Sequence, residues 1–294
     1  MSALPWLTIT RGDAPLLVSI PHTGTDLAGL EHRLVSPWLA RKDADWRIEQ
    51  LYDFAAGIGA TVVRTSISRT VIDVNRDPSG TSLYPGQATT GLCPTTTFDG
   101  EPLYLPGEEP NDAEIAARKA AYFDPCDRAL HDEISRLRAR YRIVVLYDCH
   151  SIRSMVPRLF DGLLPLFNLG TNSGASAGRS LVSAVVDILA ASGQSHVVDG
   201  RFKGGWITRS FGNPARGVHA LQMEIACRAY LREPPGTVSE GDWPPEYDPE
   251  YAAPTRETLR TILLAALAWA QRTNAARQAA RPTSEASHGE PYAH

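Results

Sequence analysis

The chain has few cysteines, few methionines and no long apolar run. Its four cysteines, Cys93, Cys126, Cys149 and Cys227, are scattered through 294 residues with no CxxC spacing. That pattern argues against a disulfide scaffold and against a cysteine zinc site. Reduced thiols fit a cytosolic chain, and Cys149, next to a predicted strand end, reads as a small buried hydrophobe rather than a nucleophile. The longest apolar stretches, Ile143 to Tyr147 and Ile262 to Trp269, fall far short of the roughly 18–20 residues that cross a bilayer. The N-terminal segment lacks the basic region and apolar core of a secretory signal, so a cytoplasmic protein is expected, with no membrane partner. Positive charge is not in excess either. Against 33 Asp and Glu stand 29 Lys and Arg, a net −4 with histidine neutral, which suits a polyanion poorly and excludes nucleic acid as the expected partner. No internal repeat is apparent, and neither GxxxxGK[ST] nor GxGxxG occurs, so a nucleotide-binding loop is not predicted.

What remains is ordinary globular composition, 43% hydrophobic and 21% charged, at a length that fits one large α/β domain. Short β-branched runs at Pro15 to Ile20, Ala60 to Ile67 and Arg142 to Tyr147, with a strand-like run at Ala220 to Ile225, read as buried strands. Helical spacing appears at Trp46 to Ile58, at Asn111 to Tyr141 with an interruption at Pro125, at Leu181 to Ala191 and at Thr255 to Thr273. This alternation predicts a largely parallel α/β sheet. Between them, Asp77 to Pro110 is rich in Pro, Gly and Thr without helical period. An irregular excursion of that length is expected to line a site and to contain short turns or strands. Residues 1–273 are expected to form a single domain, with 274–294 a disordered tail of Ala, Arg, Gln, Ser and Pro.

Ligands of open α/β sheets bind outside the carboxyl ends of the strands, so the residues after each apolar run draw attention. Pro21-His22-Thr23-Gly24 follows the first run, Asp148-Cys149-His150-Ser151 the third, and Glu224 lies on the last. A catalytic zinc ion wants about three protein ligands drawn from histidine and carboxylate, with an open position for water. His22 and His150 can supply two, and Asp43 or Asp45 of RKDADW the third. Asp45 is preferred because Trp46 could shield the site. The plainer roles are a histidine that satisfies a loop carbonyl and an Asp45 that caps the helix starting near Trp46. Glu224 faces opposite to Met223 and Ile225 if the segment is a strand, and partial burial would raise its pKa toward that of a useful general base. A salt bridge to an arginine is the competing role. In SRTVIDVNRD, Arg76 beside Asn75 is suited to hold a substrate carboxylate with its planar fork, and Arg69 to polarise a carbonyl. An ion pair of Arg76 with Asp73 or Asp77 is the alternative. The basic, glycine-rich stretch Gly200 to Gly217 reads as an anion-recognition wall, with Arg209 its first candidate and a solvated loop charge as the alternative. His219 could lie behind such a site.

Taken in order, PHTG at 21, DADW at 43, SRTVIDVNR at 68, TTGLCPTTTFDGEPLY at 89, DCHSIRS at 148, FNLGTNSGAS at 167, GRFKGGWITRSFGNP at 200 and HALQMEIA at 219 resemble the N-formylglutamate deformylase (N-formylglutamate amidohydrolase) family of histidine degradation. The similarity runs from about Leu16 to Trp269. It implies a hydrolase fold like that of the zinc carboxypeptidases, a three-layer α/β/α sandwich around a mixed, largely parallel sheet. It also implies His22, Asp45 and His150 as ligands of one divalent ion, Zn2+ first among candidates. Glu224 would be the general base, with Asn75 and Arg76 as the carboxylate clamp. The carboxypeptidase pattern HxxE would require glutamate at position 25, which is Thr25 here, so the acidic ligand has to come from Asp45 or Asp43. The implied reaction is metal-assisted hydrolysis of an N-formyl amino dicarboxylate, a small-molecule substrate, to formate and L-glutamate. Arg69 would stabilise the oxyanion, with Arg76 and Arg209 on the two substrate carboxylates. The alternatives are a zinc-dependent aminoacylase or carboxypeptidase-like peptidase, and a dicarboxylate-binding protein without turnover.

Overall fold

The computed structural model describes residues 4–279. Seven strands form one mixed sheet: β1 (Leu7–Thr10), β2 (Leu16–Ile20), β3 (Thr61–Thr65), β4 (Val144–Ile152), β5 (Phe167–Gly170), β6 (His196–Val198) and β7 (Val218–Ala226). Their order is β1-β3-β2-β4-β7-β5-β6. The four central strands β3, β2, β4 and β7 run parallel, whereas β1 against β3 and β5 against β7 are antiparallel. The helices are α1 (Pro37–Lys42), α2 (Ile48–Leu51), α3 (Asp112–Arg118), α4 (Asp124–Arg138), α5 (Arg179–Ala191), α6 (Trp206–Phe211) and α7 (Pro249–Ala279).

Both faces of the sheet are covered, which is why β2, β4 and β7 are buried throughout and read as continuous apolar runs. Side chains alternate between faces along a strand. Val145, Tyr147 and Cys149 of β4 and Leu221, Met223 and Ile225 of β7 pack with α2, α5 and α7. Val144, Leu146, Val218 and Ala220 point the other way, against α4 and α6. The helices meet these faces through their own spacing: Leu259, Ile262, Leu263, Ala266 and Ala270 of α7 are buried in the first layer, and Leu130, Ile134 and Leu137 of α4 in the second. The expected three-layer α/β/α arrangement is therefore present.

Several boundaries differ from the sequence reading. β4 runs on to Ile152, so His150 lies within the strand rather than after it. Pro125 does not interrupt the helix, because residues Lys119–Phe123 form a π-turn in which Asp124 N–H reaches Lys119 O and the proline falls in the first turn of α4. The stretch expected as one helix over Trp46 to Ile58 contains only the short α2 and a 3-10 segment at Asp53–Ile58. Strands β1, β5 and β6 and helices α1 and α6 carry too few residues to show a period. Asp77 to Pro110 is irregular, as expected, apart from isolated bridges such as Thr96 to Pro102.

The expected break at residue 274 is displaced, since α7 continues to Ala279; residues 280–294 lie outside the described residues. Buried Asn274 explains the extension: its amide spans the backbone of buried Ile143, accepting from N–H at 2.8 Å and donating to C=O at 2.9 Å. Asn274→Ala should lower unfolding stability by roughly 1–3 kcal/mol, the cost of leaving buried peptide groups unpaired, measured as a fall in the urea midpoint. An unchanged midpoint would mean that water replaces the amide.

Candidate metal centre and substrate cleft

On the face of the sheet that carries Val144 and Leu146, the next positions of β4 are Asp148 and His150. On β7, Val218 and Ala220 are followed by Gln222 and Glu224. The parallel register sets Asp148 beside Gln222 and His150 beside Glu224, so this face turns from apolar to ionisable toward the carboxyl ends of its strands. That is where open α/β sheets bind ligands.

Three loops complete the site. His22 follows β2, and its C=O accepts from Asp45 N–H at 3.0 Å, which ties the DADW loop to the PHTG loop. Gly24 allows the PHTG loop to lie against the chain after β3, where a Cβ would stand 2.3 Å from the carbonyl carbon of Ser66. The SRTVIDVNR segment follows from there.

His22, Asp45 and His150 are buried and offer ligand atoms within 4.8 Å of one another. Asp45 Oδ2 is 3.2 Å from His150 Nδ1 and 3.7 Å from His22 Nδ1. A tetrahedral ion with bonds of about 2.0–2.2 Å separates its ligands by roughly 3.3–3.6 Å, so the spacing fits a cation at the centre. Among the described residues His22 Nδ1 is buried without a hydrogen-bond partner, as an atom left for an ion would be, while Asp45 Oδ1 lies 3.6 Å from Arg69 Nη1. The far nitrogens are fixed by carboxylates: His22 Nε2 bonds Asp73 Oδ1 and His150 Nε2 bonds Asp148 Oδ2, both at 2.8 Å. A carboxylate behind each imidazole orients the ring and turns the lone pair of Nδ1 inward. Asp43 lies outside this cluster, its two oxygens accepting from Phe98 N–H at 2.6 Å and Arg153 Nη2 at 3.2 Å.

The electrostatics follow from burial. His22 is held below its ordinary pKa by desolvation, with the charge of Arg69 adding to it. Burial also pushes His150 down, but Asp148 and Asp45 outweigh it and hold His150 well above the usual value. Burial would raise Asp73, yet His22, Arg69 and Arg76 together keep it well below the carboxylate range. Glu224 lacks so strong a set of partners. Desolvation pushes it up to about 7, opposed by the charge of His150, and Gln222 Nε2 donates to its Oε2 at 3.1 Å.

A cleft enclosing about 550 Å³, its open mouth included, lies over the cluster, a size suited to a small molecule. Its lining includes His22, His150 and Glu224 together with Arg69, Arg76 and Arg201. Tyr84, Thr90 and Phe98 from the irregular 77–110 segment also line it, as expected for that excursion. Arg69 Nη2 bonds Asp73 at 2.7 Å, and its guanidinium lies 4.7 Å from the centroid of the Phe98 ring. Arg76 donates to Thr90 O and Oγ1 at 3.1 Å and sits 3.5 Å from Asp73. Arg76 thus lines the cleft and also forms the ion pair with Asp73 that was its alternative role.

Two expected substrate contacts are placed differently. Asn75 lines the cleft, but its amide is engaged at both ends: Nδ2 donates to Asp148 at 3.1 Å and Oδ1 accepts from Ile207 N–H at 2.7 Å. Arg209 is not among the cleft-lining residues; its Nε donates to Gly204 O at 2.8 Å and its guanidinium lies over the Tyr84 ring. His219 is remote from the cluster, accepting from Gly178 N–H and packing on Trp269. Cys149 is buried on the opposite face of the sheet, and burial pushes its thiol up. Asp73, Gln222, Asp148 and Arg201 also lie at the cluster or line the cleft, roles that the residue pattern alone did not mark. The first three had a legible signal, each lying two or three residues from a chosen site residue in a strand or loop that delivers it.

The chain resembles known proteins over most of its length. A profile of the N-formylglutamate amidohydrolase family matches residues 14–231. N-formylglutamate deformylases of Pseudomonas aeruginosa and Pseudomonas putida are each 44% identical over 265 residues, 90% of this chain and 96% of theirs. The crystal structure of an N-formylglutamate amidohydrolase from Ralstonia eutropha JMP134 superposes with a TM-score of 0.75 at 24% identity, covering 92% of this chain and all of that one. It shows the same fold. The profile match over most of the chain, together with the near full-length likeness to the two deformylases, shows that this chain belongs to the N-formylglutamate amidohydrolase family.

Proposed function

We propose that this protein hydrolyses N-formyl-L-glutamate to formate and L-glutamate, as the last step of a histidine degradation route, with one divalent metal ion held by His22, Asp45 and His150. Zinc is the first candidate, because two imidazoles and a carboxylate with an open position form a donor set it favours. The observation that carries this reading is the inward-facing triad beside the carboxylate of Glu224, which accepts from Gln222, in a cleft lined by arginines. When bound, the ion would polarise the formyl carbonyl and make a water molecule more acidic.

The rest of the chemistry belongs to the chain. Glu224 takes the proton of the attacking water, and returns it to the amine nitrogen as the C–N bond breaks. Arg69, held against Asp73 and Phe98, places positive charge beside the oxygen on which negative charge develops. Arg76 receives the α-carboxylate of the substrate, its guanidinium braced by Thr90. Asn75 acts through Asp148, whose carboxylate orients His150.

Glu224→Gln should retain metal and fold while kcat falls at least about a hundredfold; turnover near that of the wild type would remove Glu224 from the mechanism. A base must be ionised to work, so kcat/KM should fall as pH drops through the pKa of Glu224. That limb lies at or below pH 7, because the bound cation draws the carboxyl down from its metal-free position near 7. A pH–rate profile would locate the limb, and a rate that rises toward acid would contradict the role.

His22→Ala and His150→Ala should each lower bound metal measured by elemental analysis. Asp148→Asn should weaken metal affinity by roughly 10- to 100-fold while leaving the three ligands intact. Full occupancy in both histidine variants would remove the site.

A further inference from the structure

We propose that Arg201 is the residue by which this site selects an amino acid with a second, side-chain carboxylate. The inference rests on the function proposed above and deepens it by naming what reads the far end of the substrate.

The three arginines of the cleft differ in their commitments. Arg69 is bound to Asp73, and Arg76 is shared between Asp73 and Thr90. The hydrogen bonds of Arg201 go to backbone carbonyls instead: Nε to Leu159 O at 2.7 Å and Nη2 to Ala88 O at 2.8 Å. A guanidinium carries five N–H donors, so three remain for a ligand. The group is also held in orientation, because it lies 5.3 Å from the ring centroids of both Tyr84 and Phe202. Aromatic contact on a fork whose stem is anchored fixes its plane at little further entropic cost, which suits bidentate reading of a carboxylate.

Tyr84 is fixed in turn. Its hydroxyl donates to Gly204 O at 2.9 Å and accepts from Lys203 N–H at 3.1 Å, joining the 77–110 segment to the glycine-rich loop that carries Arg201. Burial and the neighbouring charge of Arg76 both press on the Arg201 cation, and their combined effect lowers its pKa. Two guanidiniums that repel across one cleft are relieved by an anion with a carboxylate for each, which a dicarboxylate supplies and a monocarboxylate does not. Arg209, the candidate that the sequence put first, stays outside the lining, committed to Gly204 O.

The test compares N-formyl-L-glutamate with its neutral isostere N-formyl-L-glutamine, by formate release from the metal-loaded protein, in the wild type, Arg201→Gln, Arg201→Lys and Arg209→Ala. Arg201→Gln should lose roughly 10- to 100-fold in kcat/KM on the glutamate compound, mainly through KM, with little loss on the glutamine compound. Arg201→Lys should recover part of the preference. Equal losses on both compounds would make Arg201 a structural tie between loops, and collapse of the preference in Arg209→Ala alone would transfer the role; either outcome overturns the proposal. Calorimetric binding of glutarate against butyrate separates this proposal from the activity it rests on. If no formyl compound is turned over while glutarate binding still depends on Arg201, the activity is wrong and the subsite stands. Glutarate binding that is unchanged in Arg201→Gln overturns the subsite even where the activity holds.

Discussion

The site depends on the buried carboxylate of Asp73. One oxygen accepts from His22 Nε2 and from the backbone N–H of Asn75, and the other from Arg69, with Arg76 close by. An isolated carboxylate in that position would be strongly disfavoured, and it is tolerated because donors surround it. The dependence is mutual. Asp73 sets which nitrogen of His22 carries the proton, holds Arg69 beside Asp45 and turns the chain so that Asn75 meets Asp148. Removing it would leave two guanidiniums and an imidazole without their common anchor.

A second constraint comes from the sheet. Because side chains alternate and parallel partners lie side by side, β4 and β7 can present Asp148, His150, Gln222 and Glu224 on one face while Cys149, Met223 and Ile225 are packed on the other. The same strands thus carry a fully apolar layer and a site. Gln222 links the two functions, since it donates to Glu224 and accepts from Gly205 N–H at 2.7 Å, where α6 begins. Gly205 is required there, as a Cβ would stand 2.6 Å from the side chain of Asn75. Strand β7, the glycine-rich loop and the segment that carries Asn75 therefore meet at one contact.

Charge is distributed unevenly across this contact. Around the triad, four carboxylates outnumber the arginines that touch them, a surplus that suits a dication. The cleft lining also carries Arg76 and Arg201. Such a lining suits an anionic ligand, and burial raises the Glu224 carboxyl to about 7.

The chain by itself determined the buried strands, the largely parallel α/β sheet and the histidines, because an apolar run, a helical period and a residue after a strand are local properties, whereas the three layers came from the family resemblance. His22, His150 and Glu224 could be chosen because each lies on or after such a run, and Asp45 because ligand chemistry demanded a carboxylate. Local sequence could not decide between Asp43 and Asp45. They are two residues apart, and only the hydrogen bonds from Phe98 and Arg153 commit the former elsewhere. Nor could it show that Asn75 serves Asp148, or that Arg201 rather than Arg209 reaches the cleft. Those choices depend on which groups from distant segments take up each donor and acceptor first, and that competition exists only once the sheet and its loops have brought them together.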